Sequence, residues 1–242
     1  MDCQRKHVVQ LRSDFPSVRK TMVDRIGNGG HGLRAGLAMA ETRARGMKPI
    51  VRPVALWQCA LALCMLMAVL QALPPSWRGV LRYEEQALSA GQWWRALTAH
   101  GLHLSWPHTA INACGLLLCC ALADATWTAR RLLMRMAALS VLVSLLLWTI
   151  SPQVHDYVGL SGVLYGLIVW MLLPPVLLQR DATAAMVLLA VMGWLSWQSW
   201  AGPDPLEQKL IGGYVVTQAH WFGLLGGFLG ALISCCRQLL GR

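Results

Sequence analysis

Six stretches of this chain are apolar over lengths that match a lipid bilayer, and nothing else in the sequence limits the possible folds as strongly. They run over 54–73, 107–123, 132–150, 158–178, 184–200 and 215–236. A membrane helix needs about 20 residues, and only a helix or a closed barrel bonds its backbone internally in hydrocarbon. Blocks of this length specify helices. Charged residues make up 13% of the chain, against about 25% in soluble domains, and mean hydropathy is +0.47. An all-α, multi-pass membrane protein is the fold class that follows.

Orientation follows from Lys and Arg, which stay on the cytoplasmic side. With six spans and the N-terminus inside, that side holds eleven basic residues in the first 53 positions, plus Arg130, Arg131, Arg135, Arg180, Arg237 and Arg242. The other side holds Arg78, Arg82, Arg95 and Lys209, a division of 17 to 4. Both termini are thus expected in the cytoplasm. Trp93, Trp94, Trp106, Trp148 and Trp200 fall near the outer ends of spans, as an aromatic belt does. Topology accounts for the net charge of +10 without a nucleic-acid partner. All eight cysteines fall in the arm, the spans or their inner ends, so no disulfide framework is implied.

Residues 1–52 read as a basic, disordered cytoplasmic arm, and 53–242 as the membrane domain. "MKPIVRP" makes Met47 an alternative natural start. Between the first two spans lies a loop of about 30 residues, long enough to be functional. The fourth span is expected to leave the membrane at Pro174-Pro175, and "AGPDPLEQKLIGGYV" reads as a mobile loop.

Polar residues inside these spans carry the chemistry. "GLSGVLYG" places Ser161 near the outer end of the fourth span, with Tyr165 at i+4 on the same helix face. Gly162 and Gly166 form a small-xxx-small pair that admits a neighbouring helix, and Gly159 precedes them. Ser161 is therefore either a packing residue or a nucleophile. The soluble-hydrolase GxSxG elbow does not fit, because the order is Gly159-Leu160-Ser161-Gly162-Val163. In the last span His220 precedes Gly223 and Gly227, a second glycine stripe. Two glycine-paved helices pack closely enough for an imidazole to reach a hydroxyl, as a serine–histidine pair requires. The bland alternative is a core histidine bonded to a backbone carbonyl. His108 and Asn112 share a face of the second span, where both can donate to an oxyanion. His100, His103 and His108 also allow a metal reading, although no HExxH motif or nearby carboxylate completes a zinc site.

Taken together, "GLSGVLYG", "AHWFGLLGG", "HLSWPHTAIN" and "WWRALT" resemble the rhomboid intramembrane serine proteases over most of 54–236. The resemblance implies a six-transmembrane-helix rhomboid-like bundle. It makes Ser161 the nucleophile and His220 the general base. Tyr165 would pack beside the imidazole, and His108, Asn112 and the Ser161 backbone N–H would form the oxyanion hole. Trp94 and Arg95 match a structural WR motif of the first loop, and His103 matches a histidine that braces that loop.

"WWRALTAHGLHLSWPHTAINACGLLL" with "YVGLSGVLYG" is more similar to the rhombosortase branch, which often has a histidine where Tyr165 stands. That branch implies removal of a C-terminal Gly-Gly-type anchor from exported bacterial proteins, at an inner-membrane site open to the periplasm. The expected partners are a membrane-anchored protein substrate and the bilayer, with no cofactor and no metal. The alternatives are a general rhomboid protease acting on single-span proteins, a proteolytically inactive rhomboid relative, and a small transporter. The transporter lacks the repeated halves expected of it.

Overall fold

The computed structural model describes residues 54–241. The arm expected over 1–52, with Met47, lies outside the described residues. Helix α1 (Val54–Ala72) leads into a structured segment. This segment comprises α2 (Pro75–Leu81), strand β1 (Tyr83–Glu84), α3 (Glu85–Ser89), α4 (Arg95–Thr98) and a 3-10 turn (Ala99–Gly101). Then come α5 (Trp106–Leu122), α6 (Ala129–Ile150), β2 (Asp156–Tyr157), α7 (Ser161–Gln179), α8 (Ala182–Ala201), α9 (Pro205–Ile211) and α10 (Thr217–Leu240). Five helices, α1, α6, α7, α8 and α10, are long and apolar enough to cross a membrane. The 17-residue α5 is a shorter apolar helix. At 1.5 Å per residue it spans about 26 Å, close to the bilayer core. The molecule is a multi-pass helical membrane bundle.

Local chemistry sets the helix ends. Ser105 caps α5 by accepting the His108 N–H at 3.2 Å, and Asp181 caps α8 by accepting from Thr183 and Ala184. Asp204 caps α9, with Pro205 at its first position. The segment read as a mobile loop thus contains a helical turn pair. Helix α7 runs through Pro174 and Pro175 to Gln179, close to the expected end of the fourth span at 178, and stops where Arg180 turns left-handed, at φ 55°. Membrane helices tolerate proline because neighbouring groups satisfy the freed backbone positions.

Helix α7 is central, packed against α10, α5, α6 and α8. Leu116, Leu139, Val163 and Leu167 fill the core around it. The segment between α1 and α5 is tied down by Arg95, which is 6% exposed. Its guanidinium donates to the carbonyls of Gly79 and Arg82, both at 2.8 Å, and to Gln92 Oε1 at 2.7 Å. Beside it, Trp94 Nε1 donates to the Val80 carbonyl. Strands β1 and β2 pair antiparallel, Tyr83 opposite Tyr157 and Glu84 opposite Asp156, with an Arg82–Asp156 ion pair of 2.6 Å. This pairing fastens the first loop to the strand that leads into Ser161.

Candidate active site

Backbone-to-backbone packing of α7 on α10 creates the site. A Cβ added to Gly162 would stand 2.6 Å from the Ala219 carbonyl oxygen, and one on Gly166 would stand 2.6 Å from that of Gly223. Added Cβ atoms on Gly223 and Gly227 would collide with the carbonyls of Gly162 and Gly166 in return. With no side chains between them the helices meet, and Ser161 Oγ lies 2.9 Å from His220 Nε2. For Nε2 to accept the serine proton, the imidazole proton must sit on Nδ1. His220 Nδ1 is buried and has no hydrogen-bond partner among the described residues. The pair therefore has the geometry of a dyad, with no carboxylate bonded to the imidazole among the described residues. Tyr165 packs on that ring instead, centroid to centroid 4.7 Å at 36°.

Next to the serine, Leu104 N–H donates to His108 Nδ1 at 3.3 Å. In the neutral ring this leaves the proton on Nε2, free to donate. That edge faces Gly159: a Cβ there would lie 3.2 Å from His108 Nε2 and 3.9 Å from Ser161 Oγ. Gly159 also has φ +133°, a backbone conformation that side chains rarely adopt. Asn112 uses its amide to donate to the His108 carbonyl at 3.0 Å, while its Oδ1 has no partner among the described residues. One amide hydrogen remains for a ligand. Ser161 is the first residue of α7, where backbone N–H groups lack intrahelical partners.

A cavity of about 700 Å³ opens on this group, lined by His108, Asn112, Ser161, Tyr165, Glu207 and His220 among others. Trp94 and Arg95 are not among its lining residues and serve the first loop. His103 is fully buried; its ring stands edge-on to His108 at 5.0 Å, and its carbonyl accepts from Arg78. His100, which the sequence offered only as a metal candidate, adds side-chain hydrogen bonds that hold this loop. His100 Nδ1 lies 3.2 Å from the Gly159 carbonyl and Nε2 lies 3.0 Å from Ser144 Oγ. Both ring nitrogens are thus engaged within the protein. Among the described residues no group of three His, Cys, Asp or Glu is arranged to hold a metal ion.

Three further residues were not singled out from sequence. Ser144 links α6 to this network, its Oγ lying 3.0 Å from His100 Nε2 and 2.9 Å from the Ala96 carbonyl oxygen. Tyr157 is buried and donates to the Gly159 carbonyl at 2.8 Å. Glu207 on α9 accepts from the Gln198 amide at 2.7 Å, and burial raises its carboxyl above the usual range.

The sequence matches the Rhomboid domain family over residues 90–237. The chain belongs to the rhomboid family, whose members include intramembrane serine proteases. It is similar to a Bacillus subtilis (strain 168) protein named "Putative rhomboid protease YdcA", 24% identical over 157 residues. That similarity covers 63% of this chain and 73% of the relative.

Proposed function

We propose that this protein is an intramembrane serine endopeptidase with a Ser161–His220 dyad. The observation that carries the reading is the 2.9 Å approach of Ser161 Oγ to His220 Nε2 at the wall of the cavity. Ser161 Oγ attacks the scissile carbonyl carbon as its proton passes to His220 Nε2. His108 Nε2–H, the free Asn112 amide hydrogen and the Ser161 N–H stabilise the oxyanion. The C–N bond breaks, Nε2 returns the proton to the leaving amine, and Ser161 is left as an ester. Water then attacks that ester with His220 accepting its proton, and the acid product leaves with the serine restored. Tyr165 holds the imidazole plane by packing.

The substrate is the anchor of a membrane protein. The rhombosortase-like motifs support a C-terminal Gly-Gly-type anchor on an exported bacterial protein. Glycine favours such a substrate physically, because it weakens helix by about 1 kcal/mol against alanine and eases local unwinding. In this reading, residues 1–52 form a cytoplasmic arm and 53–242 the protease domain. Both termini are cytoplasmic in the bacterial inner membrane, and the site opens to the periplasm.

The test is cleavage in proteoliposomes of a Gly-Gly-anchored protein beside an ordinary single-span protein. Parent activity that disappears in Ser161→Ala and His220→Ala, with preference for the Gly-Gly anchor, is the expected result. Equal cleavage of both substrates would favour a general rhomboid protease. No cleavage of either by folded parent would favour an inactive relative.

A further inference from the structure

We propose that Tyr157 and His100 are positioning residues that act jointly through one backbone atom, the Gly159 carbonyl oxygen, to hold the loop that delivers Ser161. The inference rests on the protease reading above.

Gly159 O accepts from the Tyr157 hydroxyl at 2.8 Å and faces His100 Nδ1 at 3.2 Å. A carbonyl only accepts, so Nδ1 carries the imidazole proton; two donors fill both lone pairs of the oxygen. The same glycine donates its N–H to the Ala99 carbonyl at 3.2 Å. Both sides of Gly159 are thus fixed to the turn at 99–100. His100 is in turn held from α6 by Ser144, whose hydroxyl donates its one proton to the bare Nε2 at 3.0 Å in this tautomer. Tyr157 is held by β2 pairing with Tyr83 and by an edge contact with the His100 ring at 5.5 Å.

The direction of this carbonyl sets the plane of the Gly159–Leu160 peptide, and with it the entry into α7 at Ser161. A free Gly159 would also swing relative to His108 Nε2, whose distance to Ser161 the oxyanion geometry depends on. Misplacement of about 1 Å costs on the order of 100-fold in rate.

Both donors are in the form the clamp needs. Burial holds Tyr157 as the protonated phenol and lowers His100 to about 4. The groups facing His100 are the Gly159 carbonyl, the Ser144 hydroxyl, the Ser140 backbone and the Tyr157 ring, none of them charged. At neutral pH its imidazole is neutral, and its one proton goes to Gly159.

The test measures kcat and KM on a Gly-Gly-anchored substrate in proteoliposomes, together with the thermal midpoint of each protein. The variants are Tyr157→Phe, His100→Leu, their double, and His100→Asn, which returns an N–H near the Nδ1 position. Each single loss of a donor should lower kcat about 10-fold with KM little changed. The double should fall by more than the product of the singles, because only then does the carbonyl lose both donors. His100→Asn should recover most of the His100→Leu loss. Parent-like kcat in both singles overturns the proposal, as does a loss that follows the thermal midpoint without recovery by Asn. A parent that cleaves while these variants match it overturns this inference alone. A parent that cleaves nothing overturns the protease reading and this inference with it.

Discussion

Helices α10 and α8 both pack on α7, yet they are built on opposite plans. Helix α10 buries eight residues, four of them glycine, and meets α7 backbone to backbone. Helix α8 buries only Ala184, Leu195 and Gln198, and presents Leu189, Trp197 and Trp200 outward. The first contact brings the Ser161 and His220 side chains within hydrogen-bond distance. The second leaves one wall of the cavity held by fewer buried side chains, with the Gln198–Glu207 bond to α9 and the Trp221–Ser199 bond to α10. Precision and access are therefore assigned to different helices.

The largest expected effect comes from breaking the tight contact. Gly223→Val places methyl groups where the Gly162 carbonyl lies. Overpacking of that kind costs about 3 kcal/mol. Cleavage should fall at least about 100-fold through displacement of His220, read in a proteoliposome assay with thermal midpoints. Parent-like activity would mean that the helices need not touch.

Arg95→Ala should come next. It leaves the carbonyls of Gly79 and Arg82 without their buried charged donor, a loss of about 3 kcal/mol by thermal or denaturant unfolding. Its effect on kcat should be smaller than that of Gly223→Val, since it acts on the loop and not on the dyad.

A pH effect sharpens the same contrast. His100 titrates near 4 when folded, below about 6.5 when unfolded. Its contribution is present above pH ~6.5 and is lost as pH falls toward 4, because the unfolded chain takes up the proton first. His100→Asn should flatten that part of the stability profile. Glu207 carries the opposite sign: burial raises its folded pKa, so its charged form costs stability that acidification recovers. Glu207→Gln should firm the α8–α9 attachment slightly and remove that gain. The smallest effect belongs to Leu189→Ala on the outer face of α8, within about 0.5 kcal/mol of the parent.

The bundle was legible because six apolar blocks leave the backbone few choices. Ser161 and His220 were legible as candidates because each stands on a glycine stripe, a pattern local to its own helix. The His100 network was not, since its partners Ser144 and Gly159 are 44 and 59 residues away and one of them is a backbone carbonyl. Tyr157 was hidden for the same reason: its partner is a carbonyl exposed by the turn at Gly159. Helix α9 had a readable signal in Asp204-Pro205, an N-cap followed by proline, which the surrounding Gly and Pro content masked.

The central claim is that Ser161 is the nucleophile and needs no group beyond His220 to activate it. Its most direct test is to treat detergent-purified, full-length protein with a fluorophosphonate and locate the adduct by peptide mass mapping, with His220→Ala alongside. The account predicts a single adduct on Ser161, strongly reduced in His220→Ala. An adduct on another serine, or equal labelling of Ser161 without His220, would contradict it.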